Sequence, residues 1–476
     1  MPHIIVKGAI PRFDEFRFNA DIDVEFADGE NVAIIGPNGA GKSLFVDFMI
    51  GNIALREGTV GIYDADHIVP RSDIKYVVFR DIYRLANTTD NYYQQRWNAT
   101  ENEDSPFVRD VIGNAKCRQN SDLVSLLHIK EVLDKRFIFL SSGELRKVQI
   151  FRALTDTARL MIIDNPYIGL DEESRGVVND ILRDLSRKRG IQIVLVLSNP
   201  RDIPDIIDRV LPIDDRRCLP VQSREDFLAD TALTGRLFGI ADGAAQIGDF
   251  EVNDDANYDN ALIFNNVSVT YYKKKILNEV TWQVRRGEKW ALLGRNGCGK
   301  STLLSLVCGD NPQAYINDIT LFDRRRGTGE TIWDIKSHIG YLSPDMHTYY
   351  QKDIPCIDVV ASGLFDTIGL YRKISDSQRL AAARWLKFFH AEHLAERSFV
   401  RISYGEQRLI LLTRVFVKQP SLLILDEPLH GLDARNKARA RQIIEEYCTN
   451  PSVTLIYVTH YTHEIPSCVS QIKRLV

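Results

Sequence analysis

Two octapeptides, "GPNGAGKS" at 36–43 and "GRNGCGKS" at 294–301, hold the residues of this 476-residue chain best suited to chemistry. Each fits GxxxxGK[ST], follows an apolar run (Val32 to Ile35; Trp290 to Leu293) and opens a helical stretch, the context that a phosphate loop requires. Glycines let successive N–H groups turn inward on phosphate, and the helix start adds positive partial charge. Lys42 or Lys300 neutralises the outer phosphate oxygens, and Ser43 or Ser301 ligates Mg²⁺. The first cradle comprises Gly36, Pro37, Asn38, Gly39, Ala40, Gly41, Lys42 and Ser43; the second comprises Gly294, Arg295, Asn296, Gly297, Cys298, Gly299, Lys300, Ser301 and Thr302. Two such matches in register arise by accident on the order of once in a few thousand chains of this length, so chance is discarded.

Further along, "LMIIDNPYIGLD" (160–171) is matched by "LLILDEPLHGLD" (422–433). Both open on apolar runs of the kind buried on two faces in a parallel sheet, and an Asp that ends such a strand lies at the edge where α/β folds bind ligands. Asp164 and Asp426 are there to hold the Mg²⁺ shell. Glu427, one residue on, is placed to orient and deprotonate an attacking water. Asn165 takes its place in the first copy, and an amide cannot accept that proton.

The elements that position these residues come as a duplication. Gly36 corresponds to Gly294, 258 residues on, whereas "LSSGE" (140–144) and "ISYGE" (402–406), Asp164 and Asp426, and Ser198 and His460 are each 262 residues apart. Order and spacing are kept, with a net four residues added early in the second copy. The spacing predicts one domain over 1–236, an exposed acidic linker over 237–259 and a second domain over 260–476.

Phosphate loops, "LSSGE" and "ISYGE", the "GLD" loops (169–171 and 431–433) and His460 together make the chain resemble the tandem ATP-binding-cassette (ABC) ATPases. The resemblance implies two α/β P-loop NTPase domains, each with a mainly parallel core sheet, a small antiparallel β region and a helical signature subdomain. It implies ATP as substrate, Mg²⁺ as cofactor and head-to-tail pairing of the domains. One site then unites Lys300, Ser301, Asp426, Glu427 and His460 with Ser141 and Gly143. The other unites Lys42, Ser43 and Asp164 with Ser403 and Gly405, but has Asn165 for the base and Ser198 for the histidine. Hydrolysis is expected mainly at the former. Tyr404, where the motif usually has glycine, is expected to put bulk into the latter. Tyr271 and Phe13 fall where the family stacks an aromatic on adenine.

The family's coupling glutamine is missing: Ser343 or Pro344 stands at that point in the second copy and Asp81 near it in the first, with Gln94 and Gln95 as substitutes. The stretch 315–343 resembles the ModF (PhrA) type of tandem ABC ATPase, associated by name with molybdate transport. On that likeness Arg324, Arg325 and Arg326 head a basic loop. Lys273 to Lys275 read as a hairpin turn.

Composition narrows the partners. Lys and Arg total 60 against 64 Asp and Glu, a net charge of −4 that offers no general pull toward nucleic acid. The seven cysteines include no CxxC pair, so neither a disulfide framework nor a zinc site is indicated, and a reducing cytoplasm fits. No apolar run is long enough to span a bilayer, which leaves membrane permease subunits as a partner class served from the cytoplasmic side. Two rivals are a ribosome-associated ABC translation factor, disfavoured by the acidic spacer and Asn165, and the ATPase of another importer, disfavoured by the missing glutamine. A repair ATPase of the SMC type needs a coiled coil that the short span between Gly36 and Leu140 cannot hold.

Overall fold

The computed structural model describes residues 2–64, 67–78, 106–137, 140, 142–154, 157–167, 170, 172–239, 250, 252, 258–271, 274–295, 297–350 and 352–475. They form two compact units, the first drawn mainly from residues 1–240 and the second mainly from 241–476.

Strands of the first unit are β1 (Pro2–Pro11), β2 (Asp23–Phe26), β3 (Val32–Ile35), β4 (Leu55–Asp64), β5 (His67–Ile68), β6 (Ile74–Val78), β7 (Leu160–Asp164), β8 (Gln192–Leu197), β9 (Arg209–Asp214), β10 (Arg217–Cys218) and β11 (Gln222–Ser223). A core sheet runs β10-β9-β3-β8-β7-β6, parallel from β9 to β6, with β10 and β11 antiparallel on β9. A second, antiparallel sheet runs β2-β1-β4-β5.

The second unit repeats this plan with β12 (Asn260–Tyr271), β13 (Lys274–Arg285), β14 (Lys289–Leu293), β15 (Asp318–Leu321), β16 (Arg324–Arg325), β17 (Ile339–Leu342), β18 (Leu422–Asp426), β19 (Thr454–Val458) and β20 (Gln471–Arg474). Its parallel sheet is β17-β18-β19-β14-β20 and its antiparallel sheet β13-β12-β15-β16.

Every residue of β7, β8, β18 and β19 is buried, because both faces of each parallel sheet are covered. The period-two alternation of a strand sorts their side chains. Met161, Ile163, Ile193 and Leu195 enter one core while Leu160, Ile162, Val194 and Val196 enter the other. Leu423, Leu425, Leu455 and Tyr457 are divided in the same way from Leu422, Ile424, Ile456 and Val458. Parallel register then sets the carboxyl ends side by side: Asp164 opposite Val196 and Ile35 opposite Leu197, Asp426 opposite Val458 and Leu292 opposite Val458. Phosphate loop, aspartate and Ser198 or His460 therefore leave one edge of each sheet.

Several expectations change. Of the stretch 237–259 expected as an exposed linker, Leu237 and Phe238 end the helix Thr231–Phe238 and pack into the first core. At its far end Phe250 stacks on Tyr447 with centroids 4.5 Å apart, and Tyr258 is buried with its hydroxyl 3.1 Å from Ser421 Oγ. Lone aromatics in an acidic run are anchors here rather than spacer. Of the basic loop expected at Arg324 to Arg326, Arg326 is turned inward: it is buried, paired with Glu330 at 2.7 Å, and its guanidinium lies 4.9 Å from the Tyr315 ring centre. Lys274 begins β13 opposite Tyr271, the pairing of a hairpin, while 272 and 273 lie outside the described residues.

Candidate active sites

The two phosphate loops are alike in backbone. Gly41 and Gly299, at φ +100° and +95°, start the helices Lys42–Met49 and Lys300–Val307 in a conformation that a Cβ would strain. Gly36 and Gly294 are required by close approach, since a Cβ would lie 2.0 Å from the Ile213 carbonyl oxygen in one loop and 2.5 Å from Cys298 Sγ in the other. Lys42 Nζ donates to the carbonyls of Gly36 and Pro37 at 2.8 and 2.7 Å, and Lys300 Nζ to those of Gly294 and Arg295 at 2.6 and 3.0 Å. Asn296 lies outside the described residues.

Behind each loop stands a serine–aspartate pair. Ser43 Oγ is 3.4 Å from Asp164 Oδ2, and Ser301 Oγ is 3.3 Å from Asp426 Oδ2. These separations are long for O–H···O bonds and suit two hard oxygens sharing a hydrated cation, so the donor set fits Mg²⁺. Asp426 is buried; burial and then Glu427 push its carboxyl up to about 7 against the pull of Lys300, Arg408 and Ser301.

The next residue separates the units. Glu427 and Asn165 both sit in the left-handed region, at φ +51° and +52°, with their N–H groups donating to Val458 and Val196 at 2.9 Å. Glu427 Oε1 is 2.7 Å from His460 Nδ1, and since an ionised carboxylate only accepts, Nδ1–H is the donor. Asn165 Nδ2 instead donates to Asp164 Oδ1 at 2.6 Å, and Ser198 Oγ is 3.4 Å from Asn165 Oδ1. The first unit thus turns its amide back onto Asp164.

The second signature opens the helix Tyr404–Phe416. Ser403 is its N-cap in a capping box with Glu406: Glu406 N–H donates to Ser403 Oγ at 3.3 Å and Ser403 N–H to Glu406 Oε2 at 2.7 Å. Accepting that bond leaves the hydroxyl proton for an anion. Gly405 follows in the first turn. In the first unit the corresponding helix is Ser142–Leu154, which includes Gly143; Ser141 lies outside the described residues. Tyr404 departs from expectation. It is buried with its ring against Gly431 and edge-on to His430 at 6.3 Å, so its bulk is used inside its own unit.

Arg408, fully buried, is a site residue that the motifs do not flag. It donates to the carbonyls of Ser343, Asp426 and Glu427 at 2.6, 2.9 and 2.8 Å, fixing the turn that carries Glu427. The available signal is the repeat: Arg146 stands at the matching place in "GELRK" and is also buried. Of the expected adenine-stacking residues, Tyr271 ends β12 half-buried with Asn311 Nδ2 donating to its hydroxyl at 2.9 Å, and Phe13 is exposed beside the Arg12 guanidinium. Ser343 directly follows β17, next to the strand ending in Asp426; Asp81, Gln94 and Gln95 lie outside the described residues.

Fold and site define a P-loop nucleotide hydrolase carrying two cassettes. The ABC transporter family matches residues 20–168 and 277–430, and the chain belongs to it as a tandem ABC ATPase, an ATP hydrolase. It is 36% identical to the ABC transporter ATP-binding protein ModF of Escherichia coli over 93% of this chain and 90% of that protein. It is 28% identical to an uncharacterized ABC transporter ATP-binding protein of Schizosaccharomyces pombe over 98% of this chain and 96% of that one. Among solved structures, an archaeal ribosome recycling factor in complex with a ribosomal stalk protein gives a TM-score of 0.55, covering 98% of this chain and 87% of that one; at 16% identity this speaks for the fold alone. No helix among the described residues is long and apolar enough to cross a membrane.

Proposed function

We propose that ATP is hydrolysed at one composite site, formed by Lys300, Ser301, Asp426, Glu427 and His460 with Ser141 and Gly143, while Lys42, Ser43 and Asp164 with Ser403 and Gly405 hold a second ATP and turn it over little. The observation that carries this reading is the 2.7 Å Glu427–His460 bond against the Asn165–Asp164 contact on the matching turn. Glu427 orients the water and takes its proton, and the His460 Nδ1–H bond fixes the carboxylate for that role. Lys300 and the loop N–H groups balance charge on the phosphates, and Tyr271 and Phe13 stack on the two adenines. Ser301 and Asp426, or Ser43 and Asp164, would hold Mg²⁺, which would supply polarisation of the phosphate oxygens.

The test is turnover by Glu427→Gln and Asn165→Gln chains. The first is expected to lose about a hundredfold or more, as removal of a general base does, and the second to keep most of its rate. Equal losses contradict the asymmetry. The likeness to ModF supports an ATPase that serves uptake of an oxyanion of the molybdate class, with membrane permease subunits as partners. Copurification of such subunits from detergent extracts tests that part, and ATP-dependent cosedimentation with ribosomes instead would replace it.

A further inference from the structure

The helix that opens with the second signature grips the turn carrying Glu427 at two points. Arg408 donates to the carbonyls of Asp426 and Glu427. One turn earlier, the Tyr404 ring lies so close to Gly431 that a Cβ there would stand 2.4 Å from Cε1 and 2.8 Å from Cδ1, at a glycine already at φ +77°. The His430 ring flanks Tyr404, and the His430 N–H donates back to the Glu427 carbonyl at 3.1 Å. Signature, aromatic ring and base-bearing turn are in continuous contact within one unit. The matching position of the first signature is Ser142, which has no ring to make such a contact.

We infer that Tyr404 is a positioning residue that reports occupancy of the first nucleotide site to the catalytic base of the second. The inference rests on the composite-site reading, in which Ser403 and Gly405 close on the ATP held by Lys42. A helix that moves when they close takes Tyr404 and Arg408 with it. Packed interiors pass such a shift on rather than absorb it. The receiving turn holds Glu427 in a left-handed conformation that persists only while its surroundings enforce it, so a small displacement changes the aim of the carboxylate. The holder site then has a purpose: its ATP sets the competence of the other.

Four full-length chains test this by steady-state ATPase: native, Lys42→Ala, Tyr404→Gly and the double variant, with fluorescent ATP binding as a check on folding and on the second site. Lys42→Ala, which weakens the first phosphate loop, is expected to slow turnover roughly 5- to 100-fold, the span of typical site-to-site coupling. Tyr404→Gly is expected to lower kcat into the same range with KM little changed, the double variant to be no slower than the slower single, and Tyr404→Phe to restore the native rate. Losses that multiply in the double variant, or a native rate in Tyr404→Gly, overturn the inference and leave one-site hydrolysis standing. A native rate in Lys42→Ala overturns both the inference and the need for a held ATP. If Tyr404→Gly does not fold, Tyr404→Leu, which keeps the apolar filling but not the flat ring, takes its place with the same outcomes.

Discussion

His460 Nδ1 and Glu427 Oε1 are 2.7 Å apart, while on a turn of the same backbone conformation Asn165 and Ser198 meet only at 3.4 Å through Oδ1 and Oγ. The units therefore differ at this point in side chains and not in chain path. Asparagine is tolerated in the left-handed region far better than glutamate, so the first unit has the residue that its backbone favours, whereas the second keeps a carboxylate there against that preference.

A transplant follows from the shared backbone. Asn165→Glu with Ser198→His, placed in a Glu427→Gln chain, is expected to recover turnover well above that of Glu427→Gln alone, with either single transplant recovering less. Release of inorganic phosphate measures it. No gain from the pair would mean that the first site lacks more than its base and histidine.

Asp426 sets function against stability. It is buried, and burial together with Glu427 pushes its carboxyl up to about 7. Without Mg²⁺ the folded chain bears the desolvation of that group at neutral pH, and an amide of the same shape does not. Asp426→Asn is expected to melt a few degrees higher than the native chain in EDTA, since about 1 kcal/mol moves a unit of this size by roughly 2–4 °C, and to lose ATPase activity. A lower melting temperature in EDTA would show that the carboxylate is well satisfied without a cation.

What could be read from sequence was what one dimension encodes. The glycine-and-lysine spacing of the phosphate loops, the uninterrupted apolar strands and the duplication fix the architecture, because each is local or periodic. Tyr404 shows the limit: at a signature position its bulk reads as an obstacle in a nucleotide pocket, whereas its ring meets Gly431, a contact that only the tertiary fold creates. Arg408 is similar, an apolar-helix arginine whose partners are three carbonyls that carry no side-chain signature. Arg326 was within reach, since Glu330 lies four residues on, but the basic run around it hid the pair.

Tyr271 distinguishes a base platform from a core tyrosine. Asn311 holds its hydroxyl, and its ring packs on the core beside β12. If the ring also carries adenine, Tyr271→Phe should bind ATP at the second loop as the native chain does, while Tyr271→Ala should bind about 2- to 10-fold more weakly, the value of one aromatic stack. Unaltered affinity in Tyr271→Ala, with only a lower melting temperature, would assign it to packing. Isothermal titration in a Lys42→Ala chain isolates the second loop.

Arg408 offers the sharpest stability forecast. Its guanidinium serves the carbonyls of Ser343, Asp426 and Glu427 from a fully buried position. Arg408→Met keeps much of the volume but leaves those acceptors without that donor, at about 1 kcal/mol or more each. The melting temperature should fall by roughly 6–12 °C, seen by calorimetry. Arg408→Lys should rescue little, because one ammonium cannot reproduce the planar fork that bridges carbonyls following two different strands. Turnover should fall in both variants even at temperatures where they are folded, since the turn that aims Glu427 loses its anchor. A lysine variant with native rate and native melting temperature would reduce Arg408 to a space-filling cation.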